Sequence, residues 1–155
     1  MRHKKIIAMV YKSNVMIGDI IRLKKWAFEV LEVGKSAVTG RLLKLGYGEF
    51  NAAWSETQPY ELTDELMECL GFAKAFVSSD NHLWEKISEG MKISYDTRDH
   101  GLSILGVGEG GNKRGFCFIY IYTLHELMHQ CKDFGIETCK FYRQILTYNP
   151  PIFNK

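Results

Sequence analysis

The chain has 155 residues, 20 basic and 18 acidic, with a net charge of +2 and a pI near 8.3, too balanced for a dedicated electrostatic nucleic-acid binder. Its 46% hydrophobic and 13% aromatic content suffices for a real core without disulfide or metal staples. No apolar run approaches the ~18 residues of a spanning helix, so no integral membrane protein is expected.

Met1-Arg2-His3-Lys4-Lys5 followed by Ile6-Ile7-Ala8-Met9-Val10-Tyr11 imitates a signal peptide but has no small-residue cleavage site, and it reads as a first strand. From Ile17 to Leu62 short strand-like runs follow at Asp19 to Leu23, Trp26 to Val33, Ser36 to Leu45 and Tyr60 to Leu62. They are broken at Lys24-Lys25, Gly34-Lys35 and Gly46-Tyr47-Gly48, a spacing that predicts a small antiparallel sheet or barrel. Pro59 then leads into a fully punctuated helix. Thr63 is the N-cap, Asp64 and Glu65 face the positive end of the dipole, Leu62 staples onto Met67, and Gly71 supplies the left-handed stop.

Strands resume at Lys74 to Val77, His82 to Ile87, Lys92 to Tyr95 and Leu102 to Leu105, and end in Phe116-Cys117-Phe118-Ile119-Tyr120-Ile121-Tyr122. That last run reads as a central or well-covered strand. A second helix runs from Leu124 to about Phe134, Gly135 closes it, and Ile136 folds back on Cys131. The tail adds a strand near Phe141 to Tyr148 before Pro150-Pro151. The expected fold is α+β: a small N-terminal antiparallel sheet or barrel, a short capped helix, and a second antiparallel sheet with one packed helix. Residues 1–155 are read as one structural unit, subdivided into a β-rich part at 1–58 and an α+β part at 59–155.

Three motifs invite chemistry. His125-Glu126-Leu127-Met128-His129 has the HExxH spacing, in which two histidines on one helix face hold zinc and the glutamate polarises a bound water. No His, Asp or Glu follows Glu137 to complete the ligand set. At ~100° per residue, Leu124, Leu127, Met128, Cys131 and Phe134 form one apolar stripe, which leaves His125 and His129 off its centre, toward solvent. Glu126 also completes a capping box with Thr123. The motif therefore reads as a capped helix; as a zinc hydrolase it would use His125 and His129 as ligands, Glu126 as base, and Asp96 or Asp99 as third ligand.

Arg114-Gly115-Phe116-Cys117-Phe118-Ile119-Tyr120-Ile121 approaches the octapeptide of RNA-recognition domains, where alternate aromatics stack bases. Cys117 and Ile121 depart from that pattern. Phe116, Phe118 and Tyr120 share one face of the strand, and the commoner use of such alternation is a core. Gly106-x-Gly108-x-x-Gly111 imitates a dinucleotide fingerprint but leads into a strand where that fingerprint opens a helix, and a hairpin loop explains it. Asp96, Asp99 and His100 read as one solvated turn, and Asp80, Asn81 and His82 as another.

Cys69, Cys117, Cys131 and Cys139 include no CxxC pair, and three lie in apolar runs where a thiol serves as a small hydrophobe. A reducing, cytoplasmic setting is expected.

Three anchors carry a resemblance: Met16-Ile17-Gly18-Asp19, then Pro59-Tyr60-Glu61-Leu62-Thr63-Asp64-Glu65-Leu66 through Leu70-Gly71-Phe72, then Tyr122-Thr123-Leu124-His125-Glu126-Leu127 through Phe134-Gly135-Ile136-Glu137. Together, over residues 16 to 137, they resemble a group of uncharacterised proteins of Bacteroidetes genomes, phages and mobile elements. That group has RIGN-like, PIPLTEEWLLKFGF-like and VHQLQNLYFALTGEEL-like segments. The resemblance implies that only His125 of the two histidines belongs to the shared pattern, since Gln and Asn stand where this chain has Glu126 and His129. It brings no activity with it. The expected function is non-enzymatic binding of protein or nucleic acid, without a cofactor. The alternatives are zinc-dependent hydrolysis at the HExxH segment and single-stranded RNA binding through Phe116, Phe118 and Tyr120.

Overall fold

The computed structural model describes residues 14–24, 26–43, 48–75, 81–107, 113–138 and 145. These fall into two compact units, one drawn from the chain up to Tyr60 together with Ile145, the other from Glu61 onward. Each contains an antiparallel sheet of five strands, and with the two α-helices of the second unit they make an α+β fold. Among the described residues no helix is long and apolar enough to cross a membrane.

In the first unit, β1 (Ile20–Leu23), β2 (Trp26–Val33), β3 (Ala37–Leu42) and β4 (Glu49–Ala53) form a meander, and β5 (Thr57–Gln58) returns to pair with β1. Ile21, Phe28, Val30, Val38 and Ala52 pack with Val15 and Trp54 into its core. The Trp54 indole meets its polar need by donating to the Gly34 carbonyl at 2.9 Å. The anchor Met16-Ile17-Gly18-Asp19 is a turn: Gly18 sits at φ 93° and the buried Asp19 carboxylate accepts the Met16 amide at 2.7 Å. The strand expected at Tyr60 to Leu62 lies instead at Thr57–Gln58. Strand β4 lies where the sequence predicts none, since Glu49-Phe50-Asn51-Ala52-Ala53 is poor in β-branched residues; pairing with β3 overrides that weak propensity.

In the second unit the Thr63 hydroxyl accepts the Leu66 amide at 3.2 Å and so caps α1 (Asp64–Cys69). Gly71, at φ 88°, ends the helix, and Phe72 N returns to Met67 O at 3.1 Å. Strands β6 (Ala73–Lys74), β7 (Leu83–Ser88), β8 (Met91–Asp96), β9 (Gly101–Val107) and β10 (Lys113–Tyr120) follow in sheet order β10-β9-β8-β7-β6. The β7–β8 turn uses Glu89 and Gly90 at φ 53° and 77°, the left-handed pair that a tight two-residue hairpin needs. Helix α2 (Leu124–Asp133) is the last described element of the unit; Ile136 N returns to Cys131 O at 2.9 Å around Gly135 at φ 77°. Trp84, Ile93, Tyr95, Leu102 and Ile104 alternate onto the buried face of the sheet, and Leu124, Leu127, Met128 and Cys131 are the buried stripe of α2.

Two expectations change here. The aromatic run does not form a central strand: β10 spans Lys113–Tyr120 and is the terminal strand of its sheet among the described residues. The strand expected at Lys74 to Val77 shortens to Ala73–Lys74, with residues 76–80 outside the described set. Gly106 lies in β9, which pairs antiparallel with β10, the next described strand along the chain. Gly108, Gly111, the strand expected at Ile6 to Tyr11, and all but Ile145 of that expected at Phe141 to Tyr148 lie outside the described residues.

Candidate functional site

The HExxH segment occupies the first turns of α2. The Thr123 hydroxyl accepts the Glu126 amide at 3.4 Å and donates to Glu126 Oε1 at 2.7 Å; that same carboxylate oxygen accepts the Tyr122 amide at 3.2 Å. Glu126 is thus spent on the helix start, reaching one residue further back than a standard capping box. His125 and His129 stand one turn apart with ring centroids at 5.8 Å. Their expected exposure is corrected: His125 is 0% exposed and His129 is half-buried. A helix wheel weighs one buried side only. The start of α2 has a further neighbour, because Leu62 N donates to Tyr122 O at 3.1 Å and Glu61 bridges Thr123.

Among the described residues no third His, Cys, Asp or Glu joins the two histidines. Asp96, one of the acids expected upstream, instead caps its own turn, its Oδ1 accepting the amides of Arg98 at 2.7 Å and Asp99 at 3.0 Å. Asp99 is exposed.

The aromatic strand behaves differently from the core reading. Cys117 Sγ lies 3.7 Å from Gln130 Oε1 of α2, so Cys117 is on the face of β10 toward the helix. Phe118 and Tyr120 occupy the opposite face, where they are 56% and 60% exposed. Their rings meet edge to face at 5.3 Å. Their cross-strand neighbours are small: Phe118 pairs with Ser103, which pairs with Ser94, and Tyr120 pairs with Gly101. A Cβ at Gly101 would lie 3.0 Å from the Phe118 ring, so the glycine lets that ring lie against the sheet. Farther across the same face Lys92 and Glu85 neutralise each other at 2.7 Å. The third expected residue, Phe116, is on the strand, with its side chain outside the described set.

At the strand ends beside this face, the fold brings His82 and the segment from Asp96 to His100, which the sequence places in two separate turns, against Asp64 of the first helix. Asp64 Oδ1, at the start of α1, accepts from Thr97 Oγ1 at 2.6 Å and Trp84 Nε1 at 2.7 Å, while Oδ2 lies 3.4 Å from His82 Nδ1. Arg98 Nη2 lies 2.8 Å from His82 Nε2. Beyond it, His100, at φ 65°, stacks on Tyr122 with centroids 4.6 Å apart. The signals were present as polar residues, but Asp64 lies far from His82 and Arg98 along the chain, and no local spacing joins them.

Burial raises the Asp64 pKa, but the bonds from Thr97 and Trp84 and the nearby His82 outweigh it, leaving the carboxyl below its ordinary 3.8. A carboxyl held low contributes stability above its unfolded value and loses it as pH falls through its folded value. The stability deficit of Asp64→Asn is therefore expected to be full near neutrality and to shrink below about pH 4. Urea unfolding followed at several pH values checks this; a deficit independent of pH would refute it.

The described thiols are poor nucleophiles. Burial pushes Cys69 up to about 11 and Cys131 to about 12, and burial with the nearby Asp133 raises Cys117. Comparison with protein-family models, with curated proteins and with solved structures finds no match for this chain.

Proposed function

We propose that this chain is a non-enzymatic binding module whose contact surface is the open face of the second unit's sheet, where Phe118 and Tyr120 stack on the bases of a single-stranded nucleic acid. The observation that carries this reading is the exposure of both rings, 56% and 60%, on the sheet face turned away from α2. The two rings touch and form one contiguous apolar patch, the kind of surface that marks an interaction site, and a base presents a flat π-face that needs no counter-charge. The local electrostatics suit this, since Lys92 and Glu85 cancel. The resemblance to proteins of Bacteroidetes, their phages and mobile elements supports an accessory role.

Each stacked base contributes about 1–3 kcal/mol, so Phe118→Ala is expected to weaken binding of a short single-stranded RNA by about that amount. Fluorescence anisotropy with labelled oligouridylate measures it, and an unchanged affinity would remove the proposal.

The rival is a zinc hydrolase at His125, Glu126 and His129. It is less well supported because Glu126 is committed to two bonds at the helix start, and because the fully buried His125 does not suit an open catalytic position. Protein purified without chelators is expected to carry less than about one-tenth zinc per chain; stoichiometric zinc lost in His129→Ala would reverse the preference.

A further inference from the structure

We infer that Arg98 and His82 form a binding point for a phosphate group, with Asp64 as the positioning residue behind the imidazole. A guanidinium carries donors only, so in the 2.8 Å contact His82 Nε2 is the acceptor, and the ring proton sits on Nδ1, toward Asp64. Arg98 is exposed, and among the described residues it makes no ion pair. An exposed cationic fork is therefore resting on a neutral ring nitrogen.

A phosphate oxygen is a better acceptor for that fork, because both partners are then charged and the geometry permits two parallel bonds. An oxyanion seated on the fork replaces the neutral ring nitrogen as its acceptor, beside the imidazole that fixes where the fork lies. Asp64, held ionised by the bonds from Thr97 and Trp84, faces His82 Nδ1 and sets the orientation of the ring. Among the described residues the charged groups touching His82 are Asp64 from α1 and Arg98 from the turn after β8; Asp96 in that turn is committed to its own amides. No covalent bond changes.

The point extends the function proposed above, since its turn leads directly into Gly101, the partner of Tyr120, but it stands on its own geometry. The phosphate could be free or belong to the backbone of the strand. Titration of the intact protein with inorganic phosphate, against chloride at equal ionic strength, is expected to shift the His82 and Arg98 side-chain resonances saturably. Arg98→Ala is expected to weaken this binding about tenfold, with circular dichroism confirming the fold. His82→Gln, a second variant, is also expected to lose phosphate affinity.

The inference is overturned if phosphate moves these resonances no more than chloride does, or if both variants bind phosphate as the parent does. Oligouridylate separates the sources. A weaker affinity in Arg98→Ala, with a salt slope lower by about one, assigns the point to the strand backbone. Unchanged oligonucleotide binding with lost phosphate binding assigns it to free phosphate. Full oligonucleotide affinity in Phe118→Ala would refute stacking without touching the Arg98 result.

Discussion

Leu127→Ala is expected to destabilise the second unit by about 2–5 kcal/mol, because the side chain is completely buried in the apolar stripe of α2 and a close-packed core collapses only partly into the space left. Thr123→Ala, which removes the N-cap of the same helix, is expected to cost about 1 kcal/mol. Amide hydrogen exchange reads both, since it reports the second unit separately from the first. The ordering separates two accounts of the HExxH segment. If the helix exists to be packed, Leu127 dominates. A chelator that destabilised the second unit more than Leu127→Ala does would reverse that account and restore metal as the organising feature.

Gly40→Ala is expected to destabilise the first unit by about 1–3 kcal/mol, the range for forcing extra volume into a packed core. The new Cβ would lie 2.3 Å from the Glu29 carbonyl oxygen and 2.5 Å from the Phe28 ring. The ring can turn, but the carbonyl belongs to β2 and can move only with the β2–β3 pairing. Hydrogen exchange in β2 and β3 should rise while protection in β8 and β9 holds. A neutral Gly40→Ala would mean that β3 shifts without loss and that the close approach there is not structural.

The elements most legible from sequence were those governed by neighbours along the chain. Thr63 and Gly71 delimit α1, and Thr123, Glu126 and Gly135 delimit α2, because caps and stops are satisfied within a few residues. The alternation of the aromatics on β10 was equally legible, while the face they occupy was not. Period two says that Phe118 and Tyr120 lie together; it cannot say whether the helix covers them or their neighbours. Strand β4 is not legible in the sequence because its residues have little intrinsic preference for a strand and acquire it only from β3.

Sequence alone therefore determined the α+β class, both capped helices, and the reading of Glu126 as a capping residue, since each follows from hydrogen bonds and side-chain periods of short range. The tertiary structure decided three further things. It buried His125 against the expectation of the wheel, opened Phe118 and Tyr120 at the edge of the sheet, and drew Asp64, His82 and Arg98 into one chain of contacts. The physical reason is common to all three. Burial, strand order and side-chain partners depend on which distant segments pack together, and that choice is made by the whole chain hiding its apolar surface, not by any window of it.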